Sequence, residues 1–319
     1  MLDDVRVTKR SALFSAGAVL CLVLAVWSGT RSAALAVVLM PELFNAPGPR
    51  PIALVSAAPT VTELRIGGAS ADLYAPAGRG PHGGLVVTAG VHPIDKRDPV
   101  LARLAEGLAR SGLAVLLVQS DALMADRIEP DEPRNLVLAF ERLRAEPGVD
   151  GQRVGMLGFS AGASLAFLAA TDPVIRDQVR TLVWLGGYYD AAELADEIAA
   201  RHYDDTDWNP HPLTQMVADK NLNGDRAALA ALSPKSRVGD FRARTFVLVD
   251  RADPLVPWVH SRELASALPR EHLARYVEFE IFEHVQPTRP VPPDVFAREA
   301  AKLYGTAWAI LRELDPSQS

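Results

Sequence analysis

The chain has 319 residues, of which 49% are hydrophobic and 23% charged, with a formal net charge of −6. Such a length suits one large domain with an extension and buries a substantial core. The acidic balance, with no dense Lys/Arg cluster in the body of the chain, excludes nucleic acid as the main partner; a single cysteine, Cys21, excludes disulfides and cysteine metal sites from the folded part.

In chain order, the first predicted element is the uncharged apolar run Ser11 to Thr30. A helix of about 20 such residues spans roughly 30 Å of hydrocarbon. Arg6, Lys9 and Arg10 precede it, and Arg31 and a second apolar stretch, Ser32 to Met40, follow. The basic flank predicts an anchor with the N-terminus inside, the folded domain outside and Trp27 near the outer interface. A cleaved signal peptide is the rival, since Ala34-Leu35-Ala36 and Ser56-Ala57-Ala58 offer small-residue sites and cleavage would release a secreted domain. A buried helix is a third reading. Residues 1–40 are thus expected as anchor or signal, 41–61 as a Pro/Ala-rich linker with little helix, and 62–314 as the folded domain.

Thr62 to Ile66 and Ala71 to Ala75 alternate and predict antiparallel strands about a Gly67-Gly68 turn. Leu85 to Thr88 predicts a buried strand, Asp98 to Arg110 a helix stopping at Gly112, Leu113 to Val118 a strand, and Pro133 to Ala145 a helix. Thr181 to Leu185 and Phe246 to Val249 are further apolar strands. A helix from Pro257 to Leu268, a strand from Tyr276 to Phe282 and a helix from Asp294 to Leu314 close the chain. Apolar strands alternating with helices imply an α/β fold with a mostly parallel sheet covered on both faces.

Arg153 to Leu157 predicts a strand, Ala163 to Ala170 a buried helix, and between them stands Gly158-Phe-Ser160-Ala-Gly162. A G-x-S-x-G turn from strand to helix resembles the nucleophile elbow of the α/β-hydrolases. The turn strains the serine backbone, and glycines two before and two after let strand and helix approach. An acid is sought downstream. Asp253, in the turn Asp253-Pro-Leu-Val-Pro257 beyond a strand, fits the chain order Ser, Asp, His; Asp250 at the strand end and Asp190 after the preceding strand are its rivals. For the base, His284 follows both Ser160 and Asp253 on a loop after a strand. His82, His92, His202, His211, His260 and His272 compete and are read as surface or locally satisfied residues.

From about Thr62 to Leu314 the chain resembles a serine α/β-hydrolase of the dienelactone-hydrolase-like or esterase type. The residues carrying the resemblance are Gly158 to Gly162, Asp253 to Pro257, His284, and Thr88-Ala-Gly-Val-His-Pro93. Dienelactone hydrolases proper use cysteine where this chain has Ser160, so dienelactone is a doubtful substrate. The resemblance implies a Ser160–His284–Asp253 triad and an oxyanion hole from the backbone N–H groups of Ala161 and Val91, with Gly90 allowing close approach. His92, in the same loop, is read as loop-shaping. The scheme needs no cofactor and no metal. Its partner is a small acyl or ester substrate; acyl transfer, peptide cleavage and a non-catalytic binding module are the alternatives.

The long connection between Gly186 and Arg244, about 187–243, is expected to form a lid, with a helix over Ala191 to Ala200. Tyr188, Tyr189, Tyr203 and Trp208 are expected either to line a substrate pocket or to form the lid's own core. Asp219-Lys-Asn221-Leu-Asn223-Gly224-Asp225 matches the front of a calcium loop, but Ala230 stands where the bidentate glutamate belongs. A polar turn with Asp225 capping the next helix is the reading adopted. His202-Tyr-Asp-Asp-Thr-Asp207 is read as a solvated loop.

Overall fold

The computed structural model describes residues 28–91, 95–222 and 226–318. Helices α1 (Ser28–Leu43) and α2 (Pro51–Val55) precede an antiparallel hairpin of β1 (Thr60–Ile66) and β2 (Ala69–Ala75). Next come β3 (His82–Thr88), α3 (Pro99–Arg110), β4 (Leu113–Ser120), α4 (Asp121–Met124) and α5 (Glu132–Arg144). They lead to β5 (Val149–Phe159), α6 (Ala161–Ala170) and β6 (Thr181–Leu185). The insertion holds α7 (Ala191–Ala200), a small hairpin of β7 (His202–Tyr203) and β8 (Thr206–Asp207), α8 (Pro212–Asn221), α9 (Arg226–Ala231) and a 3-10 turn, Pro234–Asp240. β9 (Arg244–Asp250), α10 (Val259–Ala267), β10 (Leu273–Phe279) and α11 (Pro293–Leu314) close the fold.

The main sheet runs β1-β2-β4-β3-β5-β6-β9-β10. β2 is antiparallel to both neighbours, and every pairing from β4 to β10 is parallel. Alternation splits each central strand between two cores. On one face Leu116, Met156, Trp184 and Val247 pack under α5 and α6; on the other Leu85, Leu117, Val183 and Phe279 lie under α3 and α11. All ten residues of α6 are buried, as expected of a helix apolar all round. Its Phe167 stacks on Phe241 at 4.2 Å and meets Trp184 edge-on. The register brings Thr88, Gly158 and Trp184 abreast, so the loops after β3, β5 and β6 open at one edge. Crevices beyond the carboxyl ends of such strands are where these sheets bind ligands.

The N-terminal region departs from expectation. Ser32 to Met40, read as part of an anchor, lies within α1, which packs on α3 and α11 and buries Ala36 and Leu39. The reason is polar as well as apolar. Ser32 donates to Asp315 at 3.2 Å, and the buried Glu42 accepts from both Arg50 and Arg103. Among the described residues no helix is long and apolar enough to cross a membrane; residues 1–27, including Trp27 and most of Ser11 to Thr30, lie outside them. The segment read as linker holds α2, begun by Pro51, because a proline at the first helical position is pre-set for a helix.

Smaller shifts occur elsewhere. The strand expected to run to Phe282 ends at Phe279, since the Phe282 N–H bonds the Asp250 side chain instead of a neighbouring strand. The acidic run 202–207 forms the β7–β8 hairpin. Asp219 to Asn221 are the last residues of α8, while Asn223, Gly224 and the expected cap Asp225 lie outside the described residues.

Candidate active site

Ser160 sits between β5 and α6 with φ 55° and ψ −135°, a conformation that costs a non-glycine residue about 1–3 kcal/mol. Its N–H is held by the Leu185 carbonyl at 2.8 Å, and its own carbonyl accepts from Ala163 at 2.8 Å. The elbow glycines are spacers. A methyl group on Gly158 would run into the backbone of Ala163, and one on Gly162 into the Ala89 carbonyl. On the other side a Cβ at Gly90 would stand 2.6 Å from the Ser160 Cβ, so the loop after β3 passes directly over the serine. Ala161 opens α6, where the first N–H groups have no intrahelical acceptor. The buried Val91 lines the same cavity as Ser160.

Asp253 and His284 meet. His284 Nδ1 lies 2.7 Å from Asp253 Oδ2, with the aspartate side chain fully buried and the histidine 7% exposed. The other Asp253 oxygen accepts from Leu255 N–H at 2.8 Å and Val256 N–H at 3.1 Å. A carboxylate so oriented fixes Nδ1 as the protonated nitrogen and leaves Nε2 an acceptor. Nε2 is buried and has no hydrogen-bond partner among the described residues. The pair stands over Gly186, where a Cβ would lie 3.3 Å from Asp253 Oδ2 and 3.3 Å from His284 Cε1. Leu185, the preceding residue, holds the Ser160 amide, so one short segment of chain carries both the serine and the imidazole. Gly186 also has φ +63°, which a side chain would strain.

The rival acids have other work. Asp250 accepts from Ala252 and Phe282 N–H groups and pairs with Arg289 at 3.1 Å, joining the strand end to the loop that carries His284. Asp190 caps α7 through Ala192 and Glu193 and pairs with Lys235 at 3.1 Å. Lys96 was not anticipated from the sequence. It is buried, donates its ammonium to Asp72 at 2.6 Å and its backbone N–H to the Gln119 side-chain oxygen, fastening the far end of the loop that bears Gly90 and Val91.

The remaining histidines are dispersed. His202 faces Asp207, His211 caps α8, His82 lies in β3, and His272 precedes β10 and accepts from Thr245 N–H through its carbonyl. His92 is outside the described residues. His260 is buried, accepts from Tyr189 N–H at Nδ1 and contacts Glu197 at 2.9 Å through Nε2. Glu193, His260 and Glu263 are the one cluster of metal-ligand type among the described residues, and both histidine nitrogens there are already engaged.

Ser160 and His284 open onto a cavity of about 800 Å³. Its wall is mainly aliphatic, with Leu39 and Leu43 from α1, Leu101 and Leu104 from α3, and Leu303 and Leu311 from α11. Leu213, from the insertion, and Leu255 also line it, whereas Tyr188, Tyr189, Tyr203 and Trp208 do not. Tyr203 packs edge-on to Trp208 at 5.8 Å, and Tyr188 and Tyr189 are buried in the same core as Phe167 and Trp184, with Trp208 packed against it.

Comparison with known proteins yields no matching family profile and no matching curated protein. Solved structures do match in fold. A puromycin-hydrolyzing peptidase of Mycobacterium tuberculosis aligns at TM-score 0.60 and 18% identity over 80% of this chain and 39% of its own. A 2,6-dihydroxy-pseudo-oxynicotine hydrolase aligns at TM-score 0.59 and 18% identity over 91% of this chain and 82% of its own. An acylaminoacyl peptidase of Pyrococcus horikoshii aligns at TM-score 0.60 and 17% identity over 82% of this chain and 43% of its own. The chain thus spans about two fifths of the two peptidases and most of the oxynicotine hydrolase. At these identities the likeness concerns the fold, and the fold is that of the α/β-hydrolases.

Proposed function

We propose that the protein is a serine hydrolase that cleaves carboxylic esters or related acyl bonds through a covalent acyl-enzyme. The carrying observation is the buried His284–Asp253 pair, whose Nε2 has no partner among the described residues, lining the same cavity as a serine held at positive φ. In this reading Ser160 Oγ attacks the carbonyl carbon while His284 Nε2 takes its proton. Asp253 holds the tautomer and stabilises the imidazolium. The N–H groups of Ala161 and Val91 receive the developing oxyanion, each worth about 3–4 kcal/mol if typical of such donors. His284 then gives the proton to the leaving group, and a water molecule, deprotonated by the same imidazole, releases the acid and restores Ser160.

Amide or peptide cleavage is the second reading, favoured by the peptidases among the structural neighbours. The aliphatic cavity supports the ester reading more directly. A fluorophosphonate probe is expected to label the wild-type protein and to leave Ser160→Ala unlabelled. Absence of labelling in the wild type would favour a binding module of the same fold. The uncharged run Ser11 to Thr30 supports attachment to a membrane with the hydrolase domain on the outer face. Protease accessibility in intact cells tests it: digestion of the domain supports that orientation, and full protection contradicts it.

A further inference from the structure

We infer that the cavity beside Ser160 is the subsite for a long, unbranched acyl chain, inserted between the sheet and helices α1, α3 and α11. The inference rests on the hydrolase reading above and narrows its substrate to medium- and long-chain acyl compounds.

Depth comes first. Leu85 lines the cavity and lies level with Gly155, five residues below Ser160 along β5. At about 3.3 Å per residue, the cavity reaches roughly 16 Å below the nucleophile. With carbon–carbon bonds near 1.52 Å in a zigzag, about 1.25 Å per carbon, that depth takes a chain of about 12 carbons.

Chemistry comes second. The deep wall is made of Leu85, Leu157, Val183, Ala307 and Leu311. Several polar side chains on the wall are committed elsewhere: Thr306 Oγ1 donates to the Lys302 carbonyl, Glu42 accepts from two arginines, Asp98 caps α3, and Thr288 donates to Glu283, while Asn45 and Gln286 also line the cavity. Beside those aliphatic side chains a hydroxyl, amide or charge on a ligand would be buried unpaired, which is costly. Hydrocarbon alone meets no penalty. Protein interiors seldom hold voids larger than a water molecule, so an aliphatic space of about 800 Å³ that opens at the nucleophile is consistent with an occupant that arrives with the substrate.

Assignment to the acyl side follows from the two-step reaction. The acyl group stays bonded to Ser160 while the alcohol leaves and water arrives, so the deep cavity suits the part that is retained. The shared mouth then serves for exchange of the leaving group.

The test uses the full chain and two series of p-nitrophenyl and alkyl esters, one graded in the acyl chain and one, of butyrate, graded in the alcohol. The value of kcat/KM is expected to rise about two- to fourfold per added acyl methylene up to about 12 carbons, with no comparable rise in the alcohol series. Ala307→Trp, which fills the deep wall, is expected to lower the dodecanoate-to-acetate ratio of kcat/KM at least tenfold. A measurement on the wild type alone covers a variant that does not fold: dodecanoic acid is expected to slow fluorophosphonate labelling, and butyric acid is not. A profile flat or falling from acetate onward, with turnover still dependent on Ser160, overturns the acyl-chain subsite and leaves the hydrolase reading standing, as does a chain-length rise confined to the alcohol. No turnover of any ester and no labelling overturns the hydrolase reading itself.

Discussion

Asp250 and Phe282 are joined by a 2.8 Å hydrogen bond from the Phe282 N–H to the buried aspartate. The bond ties the end of β9, three residues before Asp253, to the loop two residues before His284. Arg289 closes the same loop by pairing with Asp250 and donating to the Ala252 carbonyl. Asp250 therefore joins the segments that carry Asp253 and His284.

Replacing it tests that role. Asp250→Ala frees the Phe282 amide and leaves Arg289 without its carboxylate. We expect a stability loss of about 1–3 kcal/mol in urea titrations and a fall in kcat that exceeds any change in KM. Unaltered kcat would mean that the loop holds His284 in place unaided.

Asp253→Asn retains the shape of the pair and reverses its polarity, since an amide can donate to Nδ1 and hold the wrong tautomer. In comparable triads such a change lowers kcat by about 10⁴-fold, and a similar fall in ester turnover is expected here with the fold intact by circular dichroism. A loss below about tenfold would move the acid role away from Asp253.

Gly90→Ala addresses the loop over the nucleophile. The added methyl would lie 2.6 Å from the Ser160 Cβ, so loop or serine must move. A misplacement near 1 Å costs about 10²-fold in rate, and the expected fall is of that order in both kcat and the rate of fluorophosphonate labelling. Rates equal to wild type would show that the loop yields without disturbing the site.

Much of this arrangement was legible in the sequence, and for identifiable reasons. Ser160 is marked by a motif whose two glycines are required by contacts with Ala163 and Ala89. Asp253 and His284 follow strands, and chain order singles them out. Helix Ala191–Ala200 was found at its observed bounds because its apolar spacing is helical. Other features leave no local trace. The run Ser32 to Met40 has a composition equally suited to a bilayer or a core, and only distant partners such as Asp315, Arg50 and Arg103 decide it. The cavity is walled by leucines from several elements far apart in sequence, and Gly186 matters because the imidazole rests on it. The Lys96–Asp72 and Asp250–Arg289 pairs are likewise products of assembly.

Glu132 gives a prediction in pH. Burial raises its carboxyl above the usual glutamate range, against the hydrogen bond it accepts from Ser120 at 2.7 Å. A raised native pKa means that the native state binds the proton before the unfolded chain does as pH falls. The charged form therefore penalises folding above the native pKa, and the penalty is relieved below it. Glu132→Gln removes the charge, so its denaturation midpoint is expected to exceed that of wild type at neutral pH. The difference should shrink as the buffer is taken down through the native pKa. An advantage equal at both pH values would contradict this origin.

The most direct measurement is intact-mass and peptide analysis after exposure to a fluorophosphonate. A single adduct on the peptide carrying Ser160, abolished in Ser160→Ala and strongly slowed in His284→Ala, is the predicted result. No adduct on folded wild-type protein, or an adduct that persists at full rate without His284, would contradict a serine activated by that imidazole.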